Sequence, residues 1–529
     1  MSEKILQEIE QRLKSRFENS GGMLDLCDLP FPETLKDITK SASRIKEAIK
    51  KNEKIIIIGD YDVDGVVATT LLLDLFDVIE YQVDWFIPNR FKHGYGISTK
   101  ILSYIEAHDL IITVDNGINA NDVALWCKQR DKTLIITDHH TPKEILPEAF
   151  CIVNPKQESC NFVYQNICGA MVAWYLMAEI KKQMHLNLDL KAYLLLVAIA
   201  SVADMMPLIH INRAVVKAGL KELQKSERAF VQSFKEQLQK EHFTSEDISF
   251  LIAPLLNSAG RMDDASLSVQ FLRSKNIYDA RALHQTLNEK NLERKNKESV
   301  IFSEALKFII NSDDKIIVAY KSDWHEGILG IVAARLVKHF EKPAIVLCKD
   351  KEGLLKGSGR SSKACDLFQS MQRCEELVEK FGGHTLAIGV SLQERYLEDF
   401  IQRLNEGYKI NGEYLPENDY LCGLDFEHIN LTLFDIFKKY EPYGEANPYP
   451  LFLAEKIEVI NALPIGKNQE HMKYILRQGK SNFEAIEFRA KEPLVSGQMI
   501  DIIYKINRNS FRGEVTLQII IENIILIYK

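Results

Sequence analysis

The sequence predicts an α/β protein built from two α/β units in tandem, joined by a long helix and followed by a small β-barrel. Three observations carry that prediction. Between residues 54 and 155, short β-branched runs alternate with helical stretches, the rhythm of a parallel sheet with helices on both faces. The same rhythm resumes near residue 315. From 452 onward the pattern changes to strands alone, separated by turn residues such as Gly479-Lys480-Ser481-Asn482, which fits a barrel.

In chain order, residues 1–50 read as a helical lead-in with a Pro-containing loop at Leu29-Pro30-Phe31-Pro32. Ile55-Ile56-Ile57-Ile58 is the first buried strand, followed by helix 66–80, strand 83–87, helix 97–107, strand 111–114, helix 120–129 and strands 134–137 and 151–153. Two apolar helices follow, near 168–184 and 190–204. The second holds the longest apolar stretch, Ala192 to Ala203, which is too short to span a bilayer and runs into Asp204. The charged stretch 278–311 reads as a solvated connecting helix. Beyond it come strand 316–319, helix 326–340, strand 344–347, GSGRSS at 357–362, helix 366–380 and GGHTLAIGVSL.

Composition suits a large globular protein. At about 150 residues per domain, 529 residues predict three or four domains. The net charge of −8 argues against a basic coat for nucleic acid over the whole surface. The barrel region is locally different, with nine Lys/Arg against five Asp/Glu between 463 and 513. Phe483, Phe488, Tyr504 and Phe511 lie among those charges, and Arg508 is one of them, a pattern that suits single-strand binding if the rings are exposed. The nine cysteines include no C-x-x-C pair, so a structural zinc is not expected. Their odd number, and an N-terminus without a signal-peptide pattern, point to reduced thiols in a cytoplasm.

The chemistry is concentrated at three strand ends. The first strand runs into GDYDVDG, with Asp60, Asp62 and Asp64; the run at 111–114 leads into Asp115-Asn116-Gly117, and that at 134–137 into Asp138-His139-His140. Open α/β sheets place ligands at the carboxyl ends of their strands. So many anionic groups in one crevice would repel strongly without a cation. Carboxylates and imidazoles without thiolate suit Mg or Mn. A calcium loop fits poorly, because the twelfth position from Asp60 is Leu71 rather than Glu and a strand, not a helix, precedes it. A carboxylate such as Asp204, ending an apolar helix, would be costly unless paired.

These residues sit in a series of longer motifs. GDYDVDG, IPNRFKHGYG, VDNG, TDHH, SVADMMPL, APLLNSAGRMDDA, WHEGILGIVAARL, KGSGRSS, FGGHTLAIGVSL and PYGEANPYPLF follow one another along the chain. In that order they resemble the RecJ family of the DHH phosphoesterase superfamily, over nearly all of the chain from about residue 50. The resemblance implies a 5′→3′ exonuclease that degrades single-stranded DNA to mononucleotides in recombination and repair. After the helical lead-in over 1–50, which the residues themselves suggest, it implies a DHH catalytic domain over 51–277 and a connecting helix over 278–313. A DHH-associated domain over 314–410 would follow, then a linker and OB-fold-like domain over 411–529.

Carried over residue by residue, it makes Asp64, Asp115, His139 and Asp204 ligands of one ion, Mn2+ or Mg2+. Asp62 and a bridging Asp115 would hold a second, with Asp60 and His140 in supporting catalytic roles. It makes Arg90, Asn257, Arg261, Ser358, Arg360 and His384 substrate-binding, with GSGRSS as a phosphate-binding turn for a terminal 5′-phosphate. Single-strand-binding protein and a repair helicase are implied partners. Three other readings compete. A DHH enzyme acting on short RNA or cyclic dinucleotides, or an inorganic pyrophosphatase, would not need the strands after 452. A catalytically inactive replication scaffold would show degenerate ligand positions, whereas here each is filled.

Overall fold

The computed structural model of the chain describes residues 2–19, 21–309, 314–362, 365–384, 386–408, 420–466, 469–490, 492–511 and 514–528. Strands β1 (Ile55–Ile58), β2 (Asp84–Phe86), β3 (Leu110–Val114), β4 (Thr133–Thr137) and β5 (Cys151–Val153) form a sheet in the order β2-β1-β3-β4-β5. Every pairing is parallel. Side chains alternate between its faces. Ile55, Ile57, Leu110, Ile112 and Ile135 pack under one helical layer, while Ile56, Ile58, Ile111, Leu134 and Ile136 pack under another. Burial on both faces is why these strands read as unbroken aliphatic runs. In this strand order the sheet grows in opposite directions from β1 and β3, which opens a crevice at their carboxyl ends. The helix expected over 97–107 is cut to Leu102–Ile105 behind a single turn at Thr99–Ile101. The chain before it bends inward, so that the Gly96 N–H donates to Asp60.

The 29-residue helix Ile277–Ala305 spans about 43 Å. It is not solvated all round, as its charge suggested. Ala280, His284, Leu287, Asn291, Arg294, Ile301 and Ala305 form a buried stripe at three- and four-residue spacing, interrupted once between Arg294 and Ile301. Its polar middle is satisfied internally, with Arg294 donating to Asn291 and paired with Glu298, which also holds Arg335.

The second sheet contains β6 (Ile317–Tyr320), β7 (Ala344–Lys349), β8 (Leu354–Arg360), β9 (Lys380–His384) and β10 (Ala387–Gln393), in the order β6-β7-β8-β10-β9. Only β6 and β7 run parallel. GSGRSS is therefore not a phosphate-binding turn. Gly357 to Arg360 lie inside β8, and their backbone groups are engaged by β7 and β10. The glycines answer to packing: a Cβ on Gly357 would sit 2.4 Å from Leu347, and one on Gly359 2.6 Å from Ile388. The helix expected over 366–380 stops at Gln372, and β9 takes up the end of that range.

The last unit adds β11 (Cys422–Gly423), β12 (Phe452–Ile465), β13 (His471–Gln478), β14 (Ser481–Glu487), β15 (Met499–Phe511) and β16 (Glu514–Tyr528). Pairing of β12 with β15 closes the ring β12-β13-β14-β16-β15. The helix Ser2–Glu18 belongs to this unit's core, where Ile9, Leu13 and Phe17 pack with Phe426, Phe437 and Tyr440. Arg213 ties the first unit to it, donating from Nη2 to the carbonyls of Lys439 (2.9 Å) and Glu441 (2.8 Å).

Candidate metal centre and anion site

Asp60 and Asp62 occupy the turn between β1 and the helix Val63–Ile79. Asp62 caps that helix by accepting from the Gly65 N–H at 3.1 Å. Asp64, in the first turn, is aimed at another helix. Its two oxygens accept from Gly169 N (2.6 Å) and Ala170 N (2.8 Å) at the start of Gly169–Met184. Amide donors and the positive end of that helix offset one buried negative charge. Asp115 follows β3 with φ at +62°, a left-handed conformation that turns the chain sharply at the crevice.

His139 gathers three of these carboxylates. Its Nε2 lies 3.2 Å from Asp115 Oδ1 and 3.6 Å from both Asp64 Oδ2 and Asp204 Oδ2. The seven predicted residues of the cluster assemble into overlapping groups, namely Asp64–His139–Asp204, Asp60–Asp62–Asp115 and Asp115–His139–His140. Asp60 thus stands beside Asp62 as a second carboxylate rather than behind it.

The donor set fits a divalent cation. Asp115 Oδ1 and Asp204 Oδ2 are buried without a hydrogen-bond partner among the described residues. Burial, and then the neighbouring carboxylates, hold Asp60, Asp115 and Asp204 well above the usual carboxylate range. Burial also pushes His139 down to about 4, against the pull of Asp64, so that its ring is neutral and offers a lone pair. A divalent ion would supply the missing partner for both oxygens.

His140 differs. Burial, the largest single influence, lowers its pKa, but the hydrogen bond to Asp138 Oδ1 at 2.8 Å and the charges of Asp138, Asp204 and Asp62 together outweigh it and raise it to about 9. Asp138 also accepts from the backbone N–H groups of His139 (2.7 Å), His140 (3.1 Å) and Ile118 (2.9 Å), and so fixes the whole strand end. Tyr95 donates to the Asp115 carbonyl at 3.1 Å and lies 3.3 Å from His140 Nδ1. Asp138 and Tyr95 lie within the TDHH and IPNRFKHGYG motifs, but the sequence alone assigns neither a role. The Asp directly before two histidines was the available signal for the first; nothing local marked the second. His139→Ala should therefore cost most of the Mn2+ affinity, while His140→Ala should keep it and slow turnover. Calorimetric titration of Mn2+ into both variants checks this, and equal loss in the two would refute the division.

Beside the cluster lies a set of cations. Arg90 sits 5.1 Å over the ring of Tyr61. Arg261 and Arg360 approach from the helix Ala253–Met262 and from β8. Burial, then Arg90 foremost among the neighbouring charges, lowers Arg261 to about 10, and burial with Arg90 lowers Arg360. None of the three has an ion-pair partner among the described residues, an arrangement that calls for an anion. Ser358 points the same way as Arg360 and accepts from it at 3.0 Å. The first and second units touch here, with Arg261 donating to Gly327 O at 3.5 Å.

The remaining predicted residues are placed differently. Asn257 is committed to the β1 loop, its Oδ1 accepting from Val63 N at 3.1 Å. His384 ends β9, and its side chain lies outside the described residues. Arg508 is exposed on β15, on the barrel. Of the barrel aromatics, Tyr504 is fully buried and donates to Leu424 O, so it is core and not a stacking platform. Phe483 packs on Phe426, Phe488 is exposed, and the side chain of Phe511 lies outside the described residues.

Known proteins are similar to this chain in sequence and in fold. The model of the DHH family, N-terminal domain, matches residues 54–201, that of the DHHA1 domain 313–409, and that of the RecJ OB domain 422–523. A single-stranded-DNA-specific exonuclease RecJ of Bacillus subtilis is 34% identical over 94% of this chain, which spans 64% of that relative's length. One from Haemophilus influenzae is 32% identical over 93% of this chain and 91% of its own. The crystal structure of RecJ in complex with Mn2+ from Thermus thermophilus superposes with a TM-score of 0.79 at 25% identity, covering 93% of this chain and 72% of that one. Identity sustained through almost the full length of the Haemophilus relative, with the three domain models in the same succession, shows that the chain belongs to the RecJ family.

Proposed function

We propose that this protein is a metal-dependent exonuclease that removes mononucleotides from the 5′ end of single-stranded DNA, in recombination and repair. The observation that carries the reading is the pairing of a carboxylate–imidazole cluster with an arginine set that has no counter-ion among the described residues. Divalent ions, Mn2+ or Mg2+, supply an activated water and charge neutralisation at the phosphoryl oxygens when bound. The chain's own residues do the rest. Asp62, Asp64, Asp115, His139 and Asp204, with Asp60, hold the ions at the switch point. Arg90, Arg261 and Arg360 bind the terminal 5′-phosphate and so set which bond lies at the cluster. Guanidinium groups suit this task because they bind phosphate oxygens in a fork.

The barrel, with Arg508 on its surface, would hold the strand ahead of the cleft. Its match to the RecJ OB domain favours a long substrate over a dinucleotide. Single-strand-binding protein and a repair helicase are the proposed partners, and the cytoplasm the proposed location. Among the described residues, no helix is long and apolar enough to cross a membrane. Digestion of end-labelled single-stranded and duplex DNA with Mn2+, Mg2+ or chelator tests the reading. Duplex cut as fast as single strand, or cutting in chelator, would overturn it.

Arg360→Ala tests the polarity. A charge-assisted hydrogen bond to phosphate contributes roughly 1.5–3 kcal/mol, or about ten- to a hundredfold in affinity. Replacing the 5′-phosphate by a hydroxyl should therefore slow wild type by about that factor and the variant far less. An undiminished difference in the variant would put the end-binding pocket elsewhere.

A further inference from the structure

Lys156 lies on the loop that leaves β5, at the same carboxyl edge of the sheet as the carboxylate cluster. That loop is held firmly. Asn154 donates from Nδ2 to His140 O at 2.9 Å and accepts the Lys156 N–H on Oδ1 at 2.8 Å. Gln157 donates back to Ile152 O, and both amide residues are buried. The backbone of Lys156 is thus tied to the second histidine of the DHH segment. Its side chain is partly buried, yet its Nζ makes no hydrogen bond or ion pair among the described residues. It lies within electrostatic reach of Asp204 and Asp138, and of the His139 ring. A half-desolvated ammonium without a partner is unfavourable, and an incoming anion would relieve it.

Its position relative to the arginines gives that anion an identity. Arg261 feels Asp62, and Arg90 covers Tyr61, so the arginine set borders the Asp60–Asp62–Asp115 side. Lys156 borders the other side, Asp64–His139–Asp204, where Asp204 is the more open carboxylate, with 29% of its side chain exposed. On the exonuclease reading, a strand with its 5′-phosphate at the arginines and its scissile phosphate at the cluster would leave on the side away from the arginines, where Asp204 and Lys156 lie. We propose that Lys156 binds the next phosphodiester on the 3′ side of the scissile bond. The inference rests on the exonuclease reading above and names a substrate contact within it.

The test uses a 5′-phosphorylated oligonucleotide in which one neutral methylphosphonate replaces the second phosphodiester. Binding is read by fluorescence anisotropy in chelator, and cleavage in Mn2+. Wild type should bind the modified strand about five- to tenfold more weakly than the natural one, as expected for a partly exposed charged contact. Lys156→Ala should bind the natural strand with that same loss and show no further penalty for the methylphosphonate. Lys156→Arg should restore both the affinity and the penalty. Mn2+ affinity of Lys156→Ala, measured without DNA, should equal that of wild type. A full methylphosphonate penalty in Lys156→Ala, or unchanged affinity for the natural strand, would overturn the contact. Mn2+ affinity lost together with DNA affinity would overturn it too, making Lys156 a partner of Asp204. Failure of the function itself is distinguishable, since wild type would then not cut the natural strand at all.

Discussion

Asp115→Ala is expected to lower turnover by about a thousandfold or more, because losing several kcal/mol of transition-state charge stabilisation acts at that scale. Asp115 belongs to two of the three ligand groups, so its loss disturbs both sides of the cluster. The metal-free protein should react in the opposite sense. Burial, then Asp64 and Asp62, holds the Asp115 carboxyl well above its ordinary range, so removing it relieves repulsion among neighbouring carboxylates. Its thermal stability should be at or above that of wild type, apart from about 1 kcal/mol for a left-handed alanine. Asp115→Asn avoids that penalty, since Asn tolerates the conformation. Single-turnover cleavage in Mn2+, melting in chelator and strand binding in chelator are the measurements. A variant keeping a tenth of normal turnover would refute the shared-ligand role.

Gly169→Ala should lower Mn2+ affinity by about 10- to 100-fold, the usual scale for a change just behind metal ligands. Elsewhere in a helix this substitution stabilises by up to about 1 kcal/mol. Here the added Cβ would lie 2.5 Å from Asp115 Oδ1 and 2.6 Å from Asp115 Cβ. Either the carboxylate tips away or the helix start withdraws, and withdrawal breaks the bonds from Gly169 and Ala170 to Asp64. The remainder of Gly169–Met184 is packed in the core and should stay folded. Mn2+ titration with circular dichroism as the fold control decides it. Wild-type Mn2+ affinity in this variant would mean that the cluster has slack to absorb a methyl group.

What the sequence made legible was chemistry tied to strand ends. A strand buried on both faces is an aliphatic run, and whatever polar residue follows must emerge at the sheet's edge; Asp60, Asp115 and His139 were found that way. Support arriving from distant segments was not legible. The N–H groups that hold Asp64 belong to residues 105 and 106 positions away. GSGRSS misled because glycine serves turns and tight core packing equally, and only β7 and β10 on either side reveal which. Tyr504 could have been placed from the sequence. In MIDIIYKI it alternates with Ile500, Ile502 and Ile506, all of them buried, so period two puts it inside the barrel.

The helix Ser2–Glu18 has a consequence in time rather than in space. Arg12 meets the Leu421 carbonyl across 409 positions of chain. At synthesis rates of about 5–20 residues per second, the helix leaves the ribosome roughly 20–80 s before the segment that covers Ile9, Leu13 and Phe17. During that interval its apolar stripe is a sticky surface on a nascent chain. The barrel unit cannot complete its core until both distant parts of the polypeptide exist, so its maturation is a late step. The sheet carrying the ligand cluster, whose strands span only residues 55 to 153, is under no such delay.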